Sequence, residues 1–169
     1  MKTFVLSLAL AGIALGGDRV TFADDRYSLE FPQGWKKGQA PSAGAEFARE
    51  SPDKQIIISV NRTEIPKGAA ADLEGTAKDS AAKLKQAFKS DKAPEISEGG
   101  LDGCEARFVI LTPDDPQAEG AMGVFAIFVD AKKDLITLRA IMATPITEEN
   151  REATMKIINS FRREKKKSE

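Results

Sequence analysis

A chain of 169 residues, 41% hydrophobic and 30% charged, carries enough apolar material for one folded domain and too much to be disordered throughout. Its 25 Lys and Arg against 26 Asp and Glu give a formal net charge of −1, without the basic excess a nucleic-acid surface needs, and the sparse aromatics supply little for base stacking. Histidine is absent and Cys104 is the single cysteine, which excludes an intramolecular disulfide, Ser-His-Asp and Cys-His catalysis, and zinc centres built from His and several Cys.

Met1-Lys2 gives a short positive start, residues 4–15 (FVLSLALAGIAL) are an uninterrupted uncharged run, and Gly16-Gly17 supply small residues before Asp18-Arg19. This is the layout of a secretory signal peptide over residues 1–16; about a dozen apolar residues cannot span a bilayer core of ~30 Å as a helix. Cleavage after Gly16 places Ala14 at the −3 position, and cleavage after Ala23 is the alternative. No cysteine directly follows the apolar run, so the lipid-bearing signal of bacterial lipoproteins is missing. The mature chain is expected to be exported, periplasmic or secreted, with no integral membrane segment once the signal is removed.

From Asp18 the pattern is β. Val20 and Phe22 alternate, Asp24-Asp25-Arg26 turn, and Tyr27, Leu29 and Phe31 alternate again with Ser28 and Glu30, a hairpin with one apolar face. Pro32-Gln33-Gly34-Trp35 stops it, since Pro cannot continue a ladder and Gly permits a tight reversal. Residues 36–45 read as a loop, residues 46–50 as a short strand carrying Phe47, and residues 55–62 as a strand with Ile56, Ile58 and Val60 on one face. After Pro66-Lys67-Gly68 the period changes. Leu73, Ala77, Ala81, Leu84 and Phe88 fall on one face of an α-helix that is small in its middle and suited to close approach to a sheet.

Residues 95–98 are weakly extended and residues 99–103 (GGLDG) read as a turn. Cys104, Ala106, Phe108 and Ile110 then alternate with Glu105, Arg107, Val109 and Leu111, and residues 112–122 form a loop. Residues 123–143 hold two apolar runs around a polar turn. Val124, Ala126 and Phe128 oppose Phe125, Ile127 and Val129; Ile136, Leu138, Ala140 and Met142 oppose Leu135, Thr137 and Ile141. Strands apolar on both faces are covered on both faces. Thr147 caps a last helix whose first turn holds Glu148 and Glu149 and whose buried stripe is Thr154, Ile157, Ile158 and Phe161; the basic run 162–167 is expected at its C-terminal end, where the helix dipole favours cations. The expected fold is α+β, an α/β/α sandwich with a mainly antiparallel sheet of about seven strands and one helix on each face. Residues 18–163 form one domain and residues 164–169 a basic tail.

Tyr27-Ser28-Leu29-Glu30-Phe31-Pro32-Gln33-Gly34-Trp35 resembles the extended strand, Pro, x, Gly, Trp opening of the PsbP-like and DcrB-like proteins, which share a fold with the Ran-binding Mog protein. The close is similar too: a strand pair, a short Pro-bearing link, and a helix ending Ile157-Ile158-Asn159-Ser160-Phe161-Arg162. The resemblance covers Arg19 to about Arg163. It implies an antiparallel sheet between helices; it implies no single function, since members range from photosystem accessory subunits to a nuclear transport cofactor to bacterial envelope proteins.

Ser80-Ala81-Ala82-Lys83 matches the Ser-x-x-Lys nucleophile motif, in which one helical turn sets an amine beside a hydroxyl, but neither Ser-Asp-Asn nor Lys-Thr-Gly accompanies it. The pair reads as a solvated helix face. Asp114, Asp115 and Glu119 share a loop whose prolines explain it as a turn, and their spacing is not that of an EF-hand. Trp35 is read first as packing and second as a partner anchor, Cys104 as an inert core thiol, and Arg162–Arg163 with the following lysines as a soluble end that can meet an acidic partner or anionic lipid. Asn61-Arg62-Thr63 fits a glycosylation sequon at a strand end. No catalytic, cofactor or metal residue is assigned. The expected function is that of an exported, non-catalytic binding or accessory protein of the cell envelope, working through an unknown protein partner at contacts that include Trp35, Asp114, Asp115, Arg162 and Arg163. The alternatives are a carrier of a small apolar ligand held between sheet and helix near Ala77 and Ala81, and a Ser-Lys hydrolase.

Overall fold

The computed structural model describes residues 17–41, 43–115 and 117–164. The expected leader (residues 1–16) and residues 165–169 of the basic tail lie outside the described residues. In chain order the elements are β1 (Asp18–Phe22), β2 (Tyr27–Phe31), β3 (Lys36–Lys37), β4 (Ala45–Glu50), β5 (Ile56–Glu64), α1 (Leu73–Phe88), β6 (Glu95–Leu101), β7 (Cys104–Leu111), β8 (Met122–Asp130), β9 (Asp134–Ala143), α2 (Glu148–Asn159) and β10 (Arg162–Arg163). Seven strands form an antiparallel sheet in the order β3-β4-β5-β9-β8-β7-β6, and β1-β2-β10 form a second, three-stranded sheet.

The α+β sandwich expected from the sequence is present, and its two faces are unequal. One face carries α1, which packs chiefly on β7 and β8. Leu73, Ala77, Ala81 and Leu84 meet Val109, Leu111, Val124, Ala126 and Phe128 there. The other face carries α2 together with the small sheet, and buries Leu29, Phe31, Ile58, Val60, Ile136, Leu138, Met142, Ile157, Ile158 and Phe161. The β1–β2 hairpin therefore belongs to the covering layer and not to the central sheet.

Local chemistry places the ends of the elements. Asp72 caps α1 by accepting from the Gly75 N–H at 2.8 Å, and Lys89 closes it in the left-handed conformation. Thr147 caps α2 by accepting from the Asn150 N–H at 3.1 Å, as its position before Glu148-Glu149 foretold. Three expectations need correcting. The helix α2 stops at Asn159, and Arg162–Arg163 run as β10 beside Ser28 and Tyr27, because Phe161 is wholly buried and the Ser160 hydroxyl accepts from the Glu30 N–H at 2.8 Å. Lys36–Lys37, read within a loop, pair with Glu50 and Arg49 as the edge strand β3. Residues 99–101, read within a turn, extend β6, and the reversal is Asp102-Gly103 alone, both at positive φ. Gly99 is in the strand because the Phe108 ring lies over it; a Cβ there would sit 2.6 Å from Phe108 Cε2.

Coverage of the central ribbon is fuller for β8, where residues 123–124 and 126–129 are buried, than for β9. Asp134, Ile136, Leu138, Ala140 and Met142 are all buried, whereas Leu135, Thr137, Arg139 and Ile141, on the α1 face, are half-buried. The helix lies over the β7–β8 half of the sheet, and this offset opens a groove beside it.

Candidate functional site

The groove has a volume of about 690 Å³, within the range of small-molecule sites. One wall is the outer flank of α1, where Thr76, Asp79, Ser80, Lys83, Ala87 and Phe88 follow one another at helical spacing. The floor is the sheet: Val124 and Phe128 from β8, Thr137, Arg139 and Ile141 from β9, and Asn61 from β5. Pro41 and Ala43, from the chain between β3 and β4, form the far wall. Strand alternation and register explain the floor, because Asn61 lies opposite Thr137, Ser59 opposite Arg139, and Ile57 opposite Ile141, so all six share the α1 face.

Both apolar and polar groups line this groove. Leu84, Phe88, Val124, Phe128 and Ile141 make an oily trough along the helix. Arg139 brings a guanidinium into the middle of the floor, yet it makes no hydrogen bond or ion pair with a described residue, and its Nε is buried without an acceptor. The Ser59 hydroxyl beside it is also buried without a partner. Ser80 and Lys83, one turn apart, both line the groove, with Ser80 half-buried and Lys83 exposed; no hydrogen bond joins them.

A second cluster, on the opposite face, is built for cohesion. Asp134 is wholly buried at the start of β9; its Oδ2 accepts from the Tyr27 hydroxyl at 2.7 Å and from Arg26 Nη1 at 2.5 Å, and Arg62 Nη1 stands 3.6 Å from Oδ1. Glu46 accepts from Arg62 Nε at 2.7 Å and from the Ala23 N–H at 2.8 Å. The network ties the β1–β2 hairpin to β4, β5 and β9. Burial, then the hydrogen bond to Asp134 and its negative charge, push the Tyr27 phenol well above the usual tyrosine range. A smaller cavity of about 290 Å³ lies between Ile110, Phe125, Ile146 and Arg151 on the same side.

The candidates named from sequence are dispersed. Trp35 is 7% exposed and packs at 5.5 Å, tilted, against Phe31. The Asp114 carboxylate accepts from the Ser90 hydroxyl and the Asp91 N–H, both at 3.3 Å, fastening the loop after β7 to the exit of α1, and Asp115 accepts from the Gln117 N–H at 2.9 Å. Arg162 donates to the Asn159 and Phe161 carbonyls and Arg163 to Asp102. These acidic and basic pairs lie at opposite ends of β7, about 25 Å apart at ~3.4 Å per residue. Cys104 is buried and free, and burial raises its thiol pKa above the usual value. Among the described residues, no group of three or more Asp, Glu or Cys is placed to hold a metal ion, and no helix is long and apolar enough to cross a membrane. Sequence reading passed over Arg139 and Ser59. The signal available was a single arginine inside an otherwise apolar strand.

No family model matches the chain, and no curated protein matches it in sequence. Solved structures do match. The solution structure of cyanobacterial PsbP (CyanoP) from Synechocystis sp. PCC 6803 superposes with a TM-score of 0.64 at 15% identity, over 94% of this chain and 99% of that one. The Ran-binding protein Mog1p of Saccharomyces cerevisiae gives 0.55 at 10% identity, over 88% and 96%. A protein of Bacteroides thetaiotaomicron VPI-5482 gives 0.55 at 13%, over 90% of this chain and half of its own. At these identities the likeness is one of fold: the chain has the fold shared by PsbP and Mog1.

Proposed function

We propose that this is an exported accessory protein of the cell envelope that acts by holding a partner and performs no turnover. The observation that carries this reading is the groove beside α1, with its apolar trough, its polar rim, and a Ser80 hydroxyl and Lys83 amine that line it without bonding to each other. Three further features support it. The first residues have the layout of a secretory leader. The fold is that of PsbP and of Mog1p, and the latter is described as Ran-binding. Asp114 with Asp115 and Arg162 with Arg163 offer a partner additional polar contacts at the two ends of β7.

Site-specific photocrosslinking in envelope extract tests the reading. A photoreactive side chain at Lys83, on the groove lip, is expected to give one discrete adduct that the same group at Lys132, in the β8–β9 turn, does not give. Identical adducts from both positions, or none from Lys83, would count against it. A fluorophosphonate probe is expected to leave Ser80 unlabelled; labelling of Ser80 that is lost in Lys83→Ala would instead establish the hydrolase.

A further inference from the structure

We infer that the groove beside α1 is a receptor for a small monoanionic amphiphile, a carboxylate on an apolar chain, with Arg139 and Ser59 receiving the head and the trough along α1 receiving the tail. The inference rests on the reading of that groove as the binding site and goes further by naming the chemistry of what enters it.

The argument starts from Arg139. A guanidinium stays charged at any physiological pH, so a sheltered one needs an acceptor. The other half-buried arginines of the chain have theirs: Arg26 on Asp134, Arg49 on the Trp35 carbonyl, Arg62 on Glu46, and Arg107 on Glu74 and Glu98. Arg139 has none, although it stands mid-strand, held between Ser59 of β5 and Ala126 of β8. Ser59, wholly buried, offers an unpaired hydroxyl on the same face as its cross-strand partner. Two unsatisfied donors on cross-strand neighbours of one face, beneath a groove, are costly in an empty scaffold and useful beneath an anion.

The rest of the groove narrows the class. Asp79 and Lys83 both line the helix wall and offset one another, which leaves Arg139, among the described residues, as the one net charge facing the groove, a match for a monoanion. A planar carboxylate matches the fork of a guanidinium, and a hydroxyl can serve its second oxygen. Beyond the head, Val124, Phe128, Ile141, Leu84 and Phe88 line a surface suited to an alkyl or aryl body.

Isothermal titration of the full chain at neutral pH, with octanoate, octanol and octyl phosphate as probes, tests this. Octanoate is expected to bind about tenfold or more tighter than octanol, as a charge-assisted contact confers, and tighter than octyl phosphate. Arg139→Gln is expected to lose that tenfold while still binding octanol, and Arg139→Lys to recover part of it. Ser59→Ala, which removes an unpartnered hydroxyl, is expected to weaken octanoate about threefold or more with no loss of thermal midpoint. No octanoate binding, equal binding of acid and alcohol, tighter binding of the phosphate, or full octanoate affinity in Arg139→Gln would each overturn the inference. A discrete Lys83 crosslink together with any of these results would sink the carboxylate assignment and leave the binding function standing.

Discussion

Replacing Asp134 by Asn removes one charge from the centre of the network that holds the β1–β2 hairpin against the main sheet. The carboxylate is fully buried and accepts two bonds, from Tyr27 at 2.7 Å and Arg26 at 2.5 Å, with Arg62 at 3.6 Å from its other oxygen. Hydrogen bonds to a charged group contribute about 1.5–3 kcal/mol each, and breaking a buried ion pair from one side costs about 3–5 kcal/mol. An amide keeps one acceptor, and Arg26 is 28% exposed, so water solvates part of what is lost. The expected cost of Asp134→Asn is therefore about 2–4 kcal/mol, which for a domain of this length is roughly 5–15 °C in thermal midpoint. Urea unfolding followed by circular dichroism measures it as a lower midpoint at unchanged slope. A double-mutant cycle with Tyr27→Phe is expected to show coupling of about 1 kcal/mol or more between the two side chains. A loss below about 0.5 kcal/mol, the level of an ordinary surface change, would refute the claim that this buried carboxylate fastens the small sheet to the large one.

Other outcomes follow from the same geometry. Tyr27 is the single tyrosine, and its folded-state pKa is raised, so its contribution to stability is complete below the unfolded value of about 10 and is lost as pH rises through the folded one. Tyrosinate absorbance is expected to appear only as alkali unfolds the chain; titration near pH 10 with the circular dichroism intact would contradict this. Cys104, buried and with its thiol pKa raised, is expected to react with an aromatic disulfide reagent many times more slowly in the native protein than in denaturant. Ala77 is wholly buried where α1 meets the sheet, so Ala77→Leu is expected to overpack that contact and cost about 1–3 kcal/mol in chemical denaturation.

Much of the fold was legible because periodicity reports burial. The stripe Leu73, Ala77, Ala81, Leu84 marked α1 and its buried face, and the capping residue before two glutamates marked the start of α2. Alternation in residues 18–31 marked a hairpin with one apolar side, yet nothing local says whether that side faces a neighbour in the same sheet or the face of another, and here it is the second. Gly99 and Gly100 disguised the last residues of β6, since Gly99 accommodates the Phe108 ring and Gly100 the Cys104 carbonyl, both on the neighbouring strand. β10 was hidden by the basic composition of its two residues, whose pairing with β2 depends on Phe161 being pinned in the core. The groove was not legible. The small residues of α1 pointed to close helix–sheet contact, and Ala77 and Ala81 do pack on the sheet without lining the groove, whereas the charge on its floor, Arg139, was absorbed into an apolar run. Only the offset of α1 across the sheet reveals that this side of β9 is half open.

The groove itself is best tested by an amide-shift map of the isotope-labelled protein during titration with octanoate. Binding beside α1 is expected to shift residues 80–88, 124–128 and 137–141 together, with Ser59 among the largest changes. Shifts centred on Ile110, Phe125, Ile146 and Arg151, around the smaller cavity on the opposite face, or no shifts at all, would contradict it.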